Sequence, residues 1–224
     1  MIRYKDIFNQ NTLNIFTDAS IVRKPNETVG APGYVAVVGE EIINEDIRIL
    51  RESTNNESEI YAIYMAIQFA LKYKDYVKII NIFSDSQFAI YGLREWIFSW
   101  INNIKDDKLY SSTNKEVSHQ SIFMAIVYTI LTYDLKVSFF HNRGHFENKH
   151  VDLFIDQFTK HNFLRDNIDR ETAKAIIYYN NKIDNDTRSQ LYCIKTYPNY
   201  KLIMPQYLAR NDLDMDHYKE LLNI

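Results

Sequence analysis

The stretch "NIFSDSQFAI" (residues 81–90) carries an apolar run into an aspartate and leaves through Ser-Gln into a second apolar segment. Asn81 to Ser84 read as the end of a buried strand, and Phe88 onward as a helix. Asp85 stands at the junction. An ionised carboxylate there is costly unless something pairs with it, so Asp85 is either a helix N-cap or a group held for chemistry. Upstream, "LNIFTDAS" (13–20) has the same form: an apolar run, Thr-Asp, then small residues.

Working outward, "GYVAVVGE" (33–40) predicts a strand, and "EDIRILRES" (45–53) alternates as a half-buried neighbour, with "GEEIINE" as the hairpin turn between them. From Glu57 the apolar period becomes helical, with Thr54-Asn55-Asn56 as cap material. "YVKIINIF" (76–83) suits a central strand covered on both faces. Helices are expected from Ser86 through "LREWIFSWI" (93–101) and over 119–133, a fifth strand at "LKVSFFHN" (135–142), and a closing helix at 150–161. Three consecutive strands followed by helix-linked ones predict an α/β fold: a mixed five-stranded sheet, part antiparallel meander and part parallel, flanked by helices.

Composition sets the outer bounds. In 224 residues, 46% are apolar, including 13 Phe and 17 Tyr, enough for a substantial core. The single Cys193 excludes an intrachain disulfide framework and fits a reducing compartment. The opening "MIRYKDIFNQ" lacks the apolar stretch of a secretory leader, and no run approaches the roughly 18 apolar residues of a membrane helix, so a cytoplasmic, membrane-free location is expected. A net charge of −3 argues against a broad basic face that coats nucleic acid, though not against gripping a short stretch.

Four carboxylates fall at element ends in an order that can converge: Asp18, Glu59, Asp85 and Asp152. Grouped together they repel one another and cannot all ionise unaided. A hard divalent cation resolves that conflict, and all-oxygen ligation points to magnesium or manganese.

The blocks "IFTDAS" (15–20), "TNNESEIYAI" (54–63), "FSDSQFAI" (83–90) and "RGHFENKHVD" (143–152) resemble, in order, those of the type 1 ribonuclease H family, and "REWIFSW" (94–100) is similar to its tryptophan-bearing helix. The likeness covers about residues 12–163. It implies two Mg2+ ions, replaceable by Mn2+, on Asp18, Glu59, Asp85 and Asp152, and hydrolysis of the RNA strand of an RNA–DNA hybrid. It also implies RNA contacts from Ser20, Asn55, Asn56 and Gln87, and a proton-transfer or product-release role for His145. The loop from His145 to Asp152 is shorter than in well-known bacterial members, which leaves His150 or His141 as alternatives. "TDAS" departs from the usual Thr-Asp-Gly-Ser, so Ala19 would be strained if that position needs positive φ. The stretch after Trp100 lacks a basic protrusion, since Lys105, Lys108 and Lys115 are offset by Asp106, Asp107 and Glu116. The alternatives are a nuclease of the same fold acting on another nucleic acid, and a catalytically silent nucleic-acid or protein binding module.

Two parts are expected: a catalytic domain over 1–163 and an extension over 164–224. The extension carries nine basic and nine acidic residues, so it is no basic hybrid-binding module. It reads as two short helices ("NIDRETAKAIIYYNNKI", "NDTRSQLYCI"), an extended "YPNYKLIMPQYL" and a final amphipathic helix, "MDHYKELLNI". Its apolar content predicts packing in cis or, alternatively, homodimerisation. A chain cut after 163 is expected to keep its chemistry with reduced stability and solubility.

Overall fold

The computed structural model describes residues 7–25, 27–144, 146–193, 207 and 209–224, with only the backbone described at Lys24 and Asn148. The strands β1 (Thr12–Lys24), β2 (Glu27–Val38), β3 (Glu41–Ile47), β5 (Ile79–Ser84) and β8 (Val137–His141) form one sheet in the order β3-β2-β1-β5-β8. The first three are antiparallel, and β5 and β8 run parallel to β1 and to each other. The mixed sheet is as expected, with one addition. The stretch read as a single strand over 45–53 breaks at Arg48-Ile49, and a two-residue β4 (Leu50–Arg51) pairs lower on β2 as a sixth strand. The β2–β3 turn falls at Gly39-Glu40, ahead of "IINE", where Gly39 supplies the left-handed backbone (φ 58°) that side chains resist.

Alternation sorts the side chains to two faces. Leu13, Ile15, Ile80 and Ile82 pack under α1 (Asn55–Ala70) and α4 (Gln120–Thr132). Phe16, Phe83 and Phe140 face α5 (Val151–His161) and α6 (Arg170–Cys193). Between β5 and α4 the chain forms α2 (Gln87–Tyr91), a wide turn at Gly92–Trp96, α3 (Ile97–Ile101) and a small hairpin of β6 (Ile104–Lys105) and β7 (Lys108–Leu109). Trp100 is buried against Phe123, while Trp96 faces outward. In the hairpin Lys108 pairs with Glu116 at 3.0 Å and Lys105 bonds Asn114, so both of its lysines are held by local partners.

Helix α1 starts where the sequence indicates. Thr54 caps it by accepting from the Glu57 N–H at 3.1 Å, and Glu57 returns a bond to the Thr54 N–H. Gly30 of β2 lies so close that a Cβ there would stand 2.0 Å from the Ser58 hydroxyl. The helix therefore enters directly against the sheet.

The extension packs within the chain, against the same core. The expected pair of helices over 167–194 is one 24-residue helix, α6, lying over β1 and β2. Its buried face runs Ala173, Ile176, Ile177, Asn180, Ile183, Thr187, Leu191, an unbroken helical period with two polar members. Those polar members obscured its continuity in the sequence. The final helix, α7 (Met215–Leu222), buries Tyr218 completely, with its hydroxyl on the Leu93 carbonyl at 3.2 Å. Most of "YPNYKLIMPQYL" lies outside the described residues, as does His145. No helix among the described residues is long and apolar enough to cross a membrane.

Candidate active site

Matching rungs of β1 and β5 place the first two carboxylates. Asn14 faces Asn81, and the amides bond at 2.9 Å. Two residues on, Phe16 stacks on Phe83 with centroids 4.5 Å apart. Directly after the last paired rung, Thr17 with Ser84, come Asp18 and Asp85, at the C-terminal end of β5, where the charge of Asp85 bears on Asp18. Asp18 is within β1, which continues to Lys24 rather than stopping there. Asp85 follows β5 and is not the cap of α2, because Ser86 performs that task through its hydroxyl and the Ala89 N–H. The capping explanation for Asp85 is thereby removed.

Glu59 reaches the same edge from the second turn of α1. Asn55 donates to its Oε1 and the Ser86 hydroxyl to its Oε2, each at 2.5 Å. Burial pushes the Asp18 carboxyl well above its ordinary range; the charge of Asp85 adds to this, the Ala19 N–H at 2.7 Å opposes it, and Asp184 and Glu59 contribute further. Glu59 is also raised, first by burial, with Ser86 and Asn55 opposing and Asp85 adding. Three carboxylates thus share one electrostatic environment. Asp184, on α6, is a fourth that the motif reading did not single out.

Asp152 stands apart. It is in the first turn of α5, its side chain 77% exposed and ion-paired with Arg170 at the start of α6. Among the described residues, no three His, Cys, Asp or Glu side chains stand close enough to hold one ion together. The donor set still suits a hard divalent cation, being all oxygen, with Asp18 resisting ionisation first because it is buried and then because negative charge stands near it. To join such an ion, Glu59 has to exchange Ser86 and Asn55, and Asp152 has to leave Arg170.

Beside the carboxylates opens a cleft of about 540 Å³, lined by Asn55, Asn56, Glu59, Asp85 and Gln87 together with His141, Arg143 and His161. Three of the four expected RNA-contact residues line it. The fourth, Ser20, is half-buried under α6, its hydroxyl 3.0 Å from that of Thr187. Ala19 is extended in β1 opposite Pro32 and not in left-handed backbone, so the anticipated strain is absent. His150 is exposed and precedes α5, whereas His141 is buried with Nε2 donating to the Asp85 carbonyl at 3.1 Å. Burial holds the His141 imidazole down to about 4, so it stays neutral near pH 7 and steadies the Asp85 backbone. Gly144 lies against Asp85, where a Cβ would stand 2.7 Å from Oδ2. No larger residue fits there without moving that carboxylate.

The raised carboxyls of Asp18 and Glu59 carry a pH signature. A carboxyl raised in the folded state stabilises it below the ordinary carboxylate range, and that contribution is lost as pH rises through the raised value. Without metal, Asp18→Asn therefore gains melting temperature over the wild type, more at about pH 8 than at about pH 5, by roughly 2–4 °C per kcal/mol of buried-charge cost relieved. Thermal scans in EDTA at both pH values check this; an equal or reversed gain contradicts a raised Asp18 carboxyl.

The sequence profile of the RNase H family matches residues 10–163. The ribonuclease H of Neorickettsia sennetsu is 32% identical over 91 residues, which is 40% of this chain and 56% of that protein. A ribonuclease H of Haemophilus influenzae is 29% identical over 148 residues, 64% of this chain and 86% of that protein. A foamy viral protease–reverse transcriptase, solved with double-stranded DNA, superposes with a TM-score of 0.53 at 20% identity, covering 73% of this chain and 99% of that one, and so shares the fold. The profile spans well over half of the sequence and takes in all four motif blocks. The chain belongs to the RNase H family.

Proposed function

We propose that the protein is a divalent-metal-dependent endoribonuclease that hydrolyses the RNA strand of RNA–DNA hybrids, leaving a 5′-phosphate and a 3′-hydroxyl. The observation that carries this reading is the pairing of Asp18 with Asp85 beside Glu59, at the edge of a cleft lined with amides. Two magnesium or manganese ions on Asp18, Glu59, Asp85 and Asp152 would supply acidification of the attacking water and neutralisation of the departing 3′-oxygen.

The chain's own residues select and orient the substrate. Asn55, Asn56 and Gln87 carry amides that donate and accept, as recognition of 2′-hydroxyls and base edges in a shallow minor groove requires. Ser20, already engaged by Thr187, is the least accessible of the four expected contacts. His141, through the Asp85 carbonyl, and Gly144, by its close approach, hold Asp85 in place. His145 is assigned proton transfer or product release by its place in the motif.

A labelled hybrid should be cleaved with magnesium or manganese and spared in EDTA, while single-stranded RNA and duplex DNA survive. Intact hybrid in the presence of metal, or equal cleavage of single-stranded RNA, overturns the assignment.

A further inference from the structure

Helix α6 lies beyond the segment that matches the family, yet two of its consecutive residues take hold of the chain beside Asp85. The buried Asn180 accepts at Oδ1 from the Asn142 amide at 2.5 Å. Asn142 is itself fixed by its backbone N–H, which donates to the Ser84 carbonyl at 3.0 Å. Asn181 donates from Nδ2 to the Phe146 carbonyl at 2.9 Å. Successive helical residues point about 100° apart, so one turn of α6 grips two separate points on the chain. Those points bracket Arg143, Gly144 and His145 in the sequence. Phe146 is further pinned against Phe154 of α5, with ring centroids 5.3 Å apart.

We propose that Asn180 and Asn181 are positioning residues for the reaction: by anchoring Asn142 and Phe146 they set the turn that presses Gly144 against Asp85 and presents Arg143 to the cleft. The inference rests on the hydrolytic reading above, and deepens it by assigning part of the active-site geometry to the extension. Main-chain groups at a turn are otherwise satisfied by water. Here the Asn181 amide, on a helix packed across β1, takes that place at the Phe146 carbonyl while Asn180 holds the Asn142 side chain, so both points are referred to the same rigid sheet that carries Asp18.

The discriminating variant is Asn181→Ala. Asn181 is half-buried, and alanine is the better helix former, so α6 and the melting temperature should be preserved. Displacing reacting groups by about an ångström costs on the order of 100-fold. The expected result is a 10- to 100-fold lower kcat on a labelled hybrid, a KM within about twofold of wild type, and faster amide exchange over residues 143–150. Asn181→Gln, which keeps the amide donor, should recover part of the rate. Wild-type kcat and unchanged exchange in Asn181→Ala overturn the proposal, as does a loss of kcat that merely follows a loss of melting temperature. If the wild-type protein fails to cut the hybrid, the hydrolytic reading falls separately, and amide exchange still decides the anchoring: faster exchange over 143–150 supports it, and unchanged exchange overturns it.

Discussion

Asp85→Asn is expected to give a folded protein that cleaves hybrid RNA on the order of 10²–10³ times more slowly than the wild type. The substitution keeps shape and removes one charge from the Asp18–Asp85 row. It leaves the start of α2 intact because Ser86, not Asp85, caps that helix. The Asp85 carbonyl, which accepts from His141, is also retained. Single-turnover cleavage with magnesium, alongside a melting curve, separates chemistry from folding. Activity near wild type in a stable Asp85→Asn protein would remove Asp85 from the mechanism and with it the assignment of the cleft.

The second large effect is on stability. A chain ending at residue 163 is expected to lose cooperative folding at 25 °C, in contrast to the retained chemistry and merely reduced stability and solubility that the sequence alone suggests. Helix α6 contributes Ala173, Ile176, Ile177 and Ile183 to the cluster built on Phe16, Phe83 and Phe140. Burial of each isoleucine is worth roughly 1.5–3 kcal/mol, and the total rivals the 5–15 kcal/mol that typically separates folded from unfolded chains. Removal also uncovers the phenylalanine face of the sheet, a large apolar patch. Circular dichroism and denaturant titration of the truncated chain check this; a sharp transition with near-native stability would show that the sheet does not depend on α6.

Much of the architecture was legible because burial leaves a periodic trace. The apolar runs at 13–16 and 79–83 marked the paired strands, and Thr54 with Glu57 marked the entry of α1. Asp18, Glu59 and Asp85 could be singled out because, with Asp152, they fall in an order that can converge and lie in the family's motif blocks, whereas each alone reads as an ordinary cap or solvated residue. What escaped were effects set by distant partners. Whether Asp152 faces the cleft or Arg170 depends on how α5 and α6 meet, and no spacing in either helix encodes that. The continuity of α6 was hidden because Asn180 and Thr187 sit in its buried stripe, and a polar residue in such a stripe looks like a break. Asn180 is held by Asn142, 38 positions away, and Thr187 bonds Ser20 across the fold as well as the Asp184 carbonyl one turn back. Ala19 was misjudged for a simpler reason: β1 stays extended past Asp18, so no left-handed residue is required.

The Asn14–Asn81 pair has a consequence for alignment. A sheet made only of aliphatic and aromatic rungs could slide by two residues and keep every side chain on its own face. Such a slide between β1 and β5 would set Asn14 beside Phe83 or Ile79 and strand both amides in the apolar interior, at about 1–3 kcal/mol apiece. Even in the native pairing the amides are only half satisfied, since Nδ2 of Asn14 and Oδ1 of Asn81 lack partners among the described residues. The pair therefore acts as a vernier mark: at some cost in stability it admits one offset between the two strands, the one that brings Asp18 and Asp85 to the same end four residues further along.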